Sequence, residues 1–133
     1  MEVPIKMYIQ NKIMEDKNVF CKSYMSCLQL LPYVRNSDLS GKDKFIFETY
    51  FNYLFKYSHN SRPYDKRECD IYYNLCMRNN NKNIPFNHCG KTYHIEMVDD
   101  KPIVEQLKHY IDAICDENLI QLIDNYYINY IIN

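Results

Sequence analysis

Residues 69–97 read CDIYYNLCMRNNNKNIPFNHCGKTYHIEM, and the fold turns on how this stretch is understood. It carries Cys69, Cys76, Cys89, His88 and His94, so thiol or metal chemistry is to be sought here first. Asn79 to Asn83 is low-complexity Asn and Lys, the composition of a loop tip. Ile84-Pro85-Phe86 and the run from Thr92 to Met97 predict the two strands of a hairpin. Gly90 supplies the backbone freedom the turn between them needs.

Beyond the hairpin, Asp99 or Asp100 is expected to cap a helix with Pro102 in its first turn. Val104, Leu107, Ile111 and Ile114 recur on one face of that helix, and His109 falls on the opposite, solvent side. From Leu119 to Ile132, the spacing of Leu119, Ile123, Tyr126 and Tyr130 predicts a last helix. This is the most apolar candidate for a partner surface, but folding back onto the N-terminal helices is the preferred expectation.

Before the hairpin the chain reads as helical. Ile5, Ile9 and Ile13 stand four apart over residues 3–15. Phe20, Tyr24, Cys27, Leu28 and Leu31 keep a helical period from about Asn18, and Pro32 is expected to sit near the end of that helix or to kink it. Cys21 and Cys27 fit its apolar face as small hydrophobes. Ser40 with Asp43 is a capping-box pattern opening a helix from about Lys42 to Tyr57, whose stripe of Phe47, Tyr50, Phe51 and Leu54 reads as core. Residues 58–66, with His59, Asn60, Ser61, Arg62 and Pro63, form the best boundary. The expected fold class is α+β, with a helical N-terminal region at 1–60, a hairpin-plus-helix module at 64–116 and a C-terminal helix at 117–133 packing on the rest.

Composition narrows the function. Lys and Arg total 16 against 17 Asp and Glu, so no broad attraction to nucleic acid is expected. Met1-Glu2-Val3-Pro4-Ile5-Lys6 lacks the apolar segment of a secretory signal, and no run approaches a membrane span. A nuclear or cytoplasmic site follows as the expectation, with the six cysteines as thiols or ligands rather than disulfides. The 14 tyrosines reflect composition rather than tyrosine chemistry.

The motif itself resembles the first half of a RING finger, which opens Cys-x-x-Cys, crosses a loop, and continues Cys-x-His-x-x-(His/Cys)-x-x-Cys around a hairpin. In that register Cys69, Cys89 and His94 stand at ligand positions, while Tyr72, Lys91 and Met97 occupy the other three. A RING scaffold that has lost ligands resembles a U-box, held by hydrogen bonds and ion pairs instead of metal. The phrase from Pro85 to His94, PFNHCGKTYH, is similar to the turn of such domains, and the chain resembles the baculovirus U-box/RING-like proteins over about thirty residues. The resemblance implies a viral interaction module, a non-catalytic scaffold for viral or host proteins in late virus (nucleocapsid) assembly. Its alternative is a ubiquitin-ligase-type adaptor that acts by proximity. There Ile71, at the position of the apolar first-loop residue, docks a ubiquitin-conjugating enzyme. The other reading of Ile71 is simple core.

Two complete zinc sites are excluded on ligand count. One improvised site, from Cys69, Cys76, Cys89 and His94, would hold a single structural zinc. The favoured reading has no cofactor, with Lys91 paired to a carboxylate such as Asp70, Glu96 or Asp99 in place of a metal. No Gly-rich phosphate loop, HExxH or nucleophile elbow is present. A nucleophilic pair can be drawn from Cys89 and His94, but nothing in the sequence supplies an orienting third group or an oxyanion site.

Overall fold

A computed structural model describes residues 5–15, 17–57, 67, 69–71, 74 and 83–132, except the side chains of residues 17–21. Helix α1 spans Ile5–Glu15, α2 Lys17–Arg35 and α3 Gly41–Tyr57. Three strands follow, β1 Asn83–His88, β2 Lys91–Val98 and β3 Lys101–Pro102. Helices α4, Val104–Ile114, and α5, Glu117–Tyr126, complete the chain, and Tyr127–Ile132 widens into a π-helical turn. The protein is α+β: a helical N-terminal part, a small three-stranded antiparallel meander and C-terminal helices.

Helix α2 is the centre. Tyr24, Cys27, Leu28, Leu31 and Val34 are buried at helical spacing, but so are Ser23, Ser26, Leu30 and Tyr33 on its other sides. A helix is buried all round only when it has neighbours all round. Here α1, α3, β1, β3 and α4 all pack on it. Pro32 sits near the end of α2, as expected, and the helix continues to Arg35. It lies within the last turn, where its missing N–H removes a single ladder bond, and its own carbonyl accepts from the Asn36 amide at 3.1 Å. Ser37 closes the end by donating to the Val34 carbonyl at 2.6 Å.

Ser40 caps α3 as its sequence position predicts, its hydroxyl accepting from the Asp43 amide at 3.1 Å. The stripe of Phe47, Tyr50, Phe51 and Leu54 is core, widened by Ile46. Tyr24 stacks on Phe51 at 5.6 Å, holding α2 to α3.

The hairpin pairs Asn83 with Glu96 at one end and His88 with Lys91 at the other. The two residues between, Cys89 at φ +50° and Gly90 at φ +77°, give the double positive φ of a primed turn, whose twist matches that of the strands. Along β2, Ile95 and Met97 face the core, while Thr92, His94 and Glu96 face out, the period-two alternation of a sheet covered on one side. Phe86 stacks on its cross-strand partner Tyr93 at 5.2 Å, and Tyr110 of α4 meets both rings edge-on. The Tyr110 hydroxyl then donates to the His94 carbonyl, so one side chain fastens α4 to the sheet.

One expectation fails here. Asp99 and Asp100 do not cap a helix. At φ +52° and +65° they form a second two-residue turn, and Val98 pairs with Lys101 and Met97 with Pro102. Asp tolerates the left-handed region better than most residues, and Pro102 sits in a two-residue edge strand, where no ladder amide is needed from it. Helix α4 starts after Ile103, which makes no side-chain cap. Its buried face is Leu107, Tyr110, Ile111 and Ile114, with Val104 at its margin and His109 exposed. Asp116 caps α5, accepting from the Leu119 amide at 3.1 Å and from the Tyr8 hydroxyl at 2.9 Å. Leu119 and Ile123 are buried, and α5 packs on α1 and α3. A single apolar core runs from Ile9 through α2 and α3 to Phe86, Ile95, Leu107 and Ile123.

Candidate functional site

The residues singled out around the hairpin lie in different environments. Cys69, in a helical stretch, is buried at 3 % exposure, whereas Ile71 two positions later is 50 % exposed. Ile71 is therefore a surface residue rather than core. Cys89 is exposed at the hairpin tip, and His94 is exposed on the outer face of β2 opposite Pro85. Met97 is in the core. Cys76, Tyr72, His59 and the rest of the 58–66 boundary lie outside the described residues, as does the side chain of Cys21. Among the described residues, no three His, Cys, Asp or Glu side chains converge in a group that could hold a metal. A site from Cys69, Cys89 and His94 is thus not drawn together by the described part of the chain.

Lys91 behaves differently from its expected role as an ion-pair cross-link. Its ammonium lies 5.0 Å from the centre of the half-buried Tyr93 ring, a cation–π contact beside the hairpin tip. Apart from Lys12 with Glu15 inside α1, the ion pairs found among the described residues tie helices and loops instead: Lys42 to Asp124 at 2.7 Å, Lys108 to Asp43 at 3.1 Å, Lys101 to Asp38 at 3.1 Å and Arg35 to Glu48 at 2.8 Å. The physical reason is position. Lys91 follows the turn directly, at the exposed end of the hairpin, and an exposed ammonium gains little from a carboxylate it must be held against.

The hairpin docks on α2 through polar contacts at its closed end. The Gln29 side-chain carbonyl accepts from the Asn87 amide at 3.1 Å. Ser26, buried on α2, has its hydroxyl 3.0 Å from the Lys22 carbonyl, 3.1 Å from the Asn87 carbonyl and 2.6 Å from His88 Nδ1. The other His88 nitrogen, Nε2, lies 3.6 Å from Cys89 Sγ. Partial burial pushes the His88 pKa below its ordinary value, favouring the neutral ring. The imidazole next to Cys89 is thus His88, not His94, and the orienting third group comes from α2. Sequence reading passed over Ser26 because a serine mid-helix has no signature. Its role follows only from the hairpin packing on α2.

In its C-terminal segment the chain leaves apolar surface open. Tyr126, Ile128, Tyr130, Ile131 and Ile132 are all exposed, Tyr130 at 71 %. Phe45 of α3 holds the root of this segment, its ring 6.4 Å from Tyr126 and 5.0 Å from Tyr127. No helix among the described residues is long and apolar enough to cross a membrane.

Comparison with protein-family models, with curated proteins and with solved structures gives no match.

Proposed function

We propose that the chain is a protein–protein interaction module, a non-catalytic scaffold of degenerate RING/U-box type serving late virus (nucleocapsid) assembly in the host nucleus. The observation that carries the interaction reading is the apolar surface left in solvent: Ile71 and the segment from Tyr126 to Ile132. A run of exposed apolar residues such as Tyr126 to Ile132 marks a contact surface more often than isolated ones do. The viral setting is supported by the resemblance of residues 69–97. The metal-free form is supported by Tyr72, Lys91 and Met97 at ligand positions, since none of these is an ordinary zinc ligand.

The test is affinity capture from infected cells, with the intact chain compared against a Tyr130→Ser, Ile132→Ser double variant. Both positions are exposed, so the double variant should melt within a few degrees of the parent. Loss of specific partners in the variant supports the reading, and an identical set of captured proteins opposes it. A second reading, docking of a ubiquitin-conjugating enzyme, is favoured by one observation, the half exposure of Ile71.

A further inference from the structure

The last turn of the chain is held at its root only. A helix in a protein owes most of its stability to the apolar face it packs on the rest of the fold. The π-helical turn Tyr127–Ile132 has no buried residue. Ile128, Tyr130, Ile131 and Ile132 are exposed, as is Tyr126 of α5 before them. A helix that is apolar all round belongs inside a structure. The root is a ladder of rings. Phe45 stacks on Tyr126 at 6.4 Å and Tyr126 meets Tyr130 at 5.1 Å, so the ladder runs from half-buried Phe45 outward to Tyr130 in solvent.

Two observations bear on what covers this surface. The first is charge. Residues 125–132 include no charged side chain, and Asp124 just before them is paired with Lys42 at 2.7 Å. Such a surface offers no sign for a charged partner to match, and two copies of it meet without repulsion. The second is the rest of the surface. The other exposed large apolar residues among the described ones are Met7, Met14, Met25, Ile71 and Val98, no two of them adjacent in sequence. The continuous apolar run that this chain offers as a match for residues 126–132 is therefore the same run in another copy.

We propose that residues 126–132 form a self-association surface, packed against the same residues of a second copy about a two-fold axis. This names a partner within the interaction reading above and rests on it. A two-fold contact uses one patch twice and closes at two copies. The available area fits a dimer of modest strength. At roughly 200 Å² for an aromatic side chain and somewhat less for isoleucine, the five exposed side chains present about 500 Å² per copy, or about 1,000 Å² for the pair. That is the lower bound of a specific interface, so the dimer dissociates on dilution. Asn125 and Asn129, exposed beside the apolar side chains, supply a polar rim.

The test is sedimentation equilibrium of the intact, purified chain over a wide range of concentration. The mass of the parent should rise from one chain to two and level off there. Tyr130→Lys and Tyr130→Glu should each stay at the mass of one chain, because the axis brings like charges together. An equal mixture of the two variants should recover the mass of two. Tyr130 is largely in solvent, so both variants should melt with the parent. If either melts early, the Tyr130→Ser, Ile132→Ser double variant decides, and it should weaken association by at least about tenfold. Four results would overturn the proposal: a parent that is a monomer throughout, a mass that climbs past two chains, variants that associate like the parent, or a mixture that stays monomeric. All are read without any other protein present. A monomeric parent therefore removes the dimer and leaves capture from infected cells to decide the interaction reading. An unchanged captured set beside an intact dimer removes only the wider reading.

Discussion

Cys89, Gly90, Asp99 and Asp100 all stand at positive φ, yet only one of the four is glycine. The left-handed region costs an L-residue about 1–2 kcal/mol, less for Asp. A side chain at Gly90 would meet nothing within 4 Å, so the cost of adding one is purely backbone. Gly90→Ala should therefore lower stability by about 1 kcal/mol. Asp100→Gly should act in the opposite direction and raise stability by up to about 0.5 kcal/mol, relief of strain being partly offset by the freer unfolded chain. Urea unfolding of the two variants beside the parent checks both signs; a stabilising Gly90→Ala would mean that the turn is not of the primed type. Of these positions, Gly90 was legible in the sequence, because glycine between two strand patterns has few other uses. The pairing of Cys89 with His88 was not. Its third member, Ser26, lies 62 positions from His88, and no local spacing links them.

At the scale of elements, the helical periods of α1, α3 and α4 were readable because each buries one face against the core. Helix α2 was only half readable. Its apolar stripe marks one buried side, whereas Ser23, Ser26 and Tyr33 are buried by neighbours that only the tertiary fold supplies. The Asp99–Asp100 turn was misread because Asp before an apolar period suits a helix cap and a primed turn equally well. Pairing of Val98 with Lys101 decides between them. Asp116 joins two elements, capping α5 and receiving Tyr8 from α1 through the same oxygen. Asp116→Ala removes both interactions and should cost about 2 kcal/mol, roughly 1 for the cap and 1 for the interhelical hydrogen bond. Tyr8→Phe should lose only the second part, about 1 kcal/mol. Equal losses in the two variants would show that the cap contributes nothing.

At the scale of the molecule, one core joins the N-terminal helices to the hairpin and to α5, so the hairpin is supported by α2 and α4 through Ser26, Gln29 and Tyr110. In the metal-free form we propose, purified protein should hold far less than one zinc per chain and keep its melting temperature in a chelator. Stoichiometric zinc, with unfolding on chelation, would instead make metal binding part of the folding energy. The α+β architecture was legible because a hairpin pattern follows a run of helical periods. The open surface was legible only as the less favoured reading, since Tyr126 and Tyr130 continue the period of Leu119 and Ile123 yet stay in solvent. That surface, with Ile71, underlies the central claim that the chain binds proteins without catalysing transfer between them. The most direct measurement is ubiquitin transfer in vitro, with the intact chain supplied to a panel of conjugating enzymes. A scaffold gives no ubiquitin chains above background with any of them. Robust chain formation that is lost in Ile71→Ala would contradict the account and make the protein a ligase.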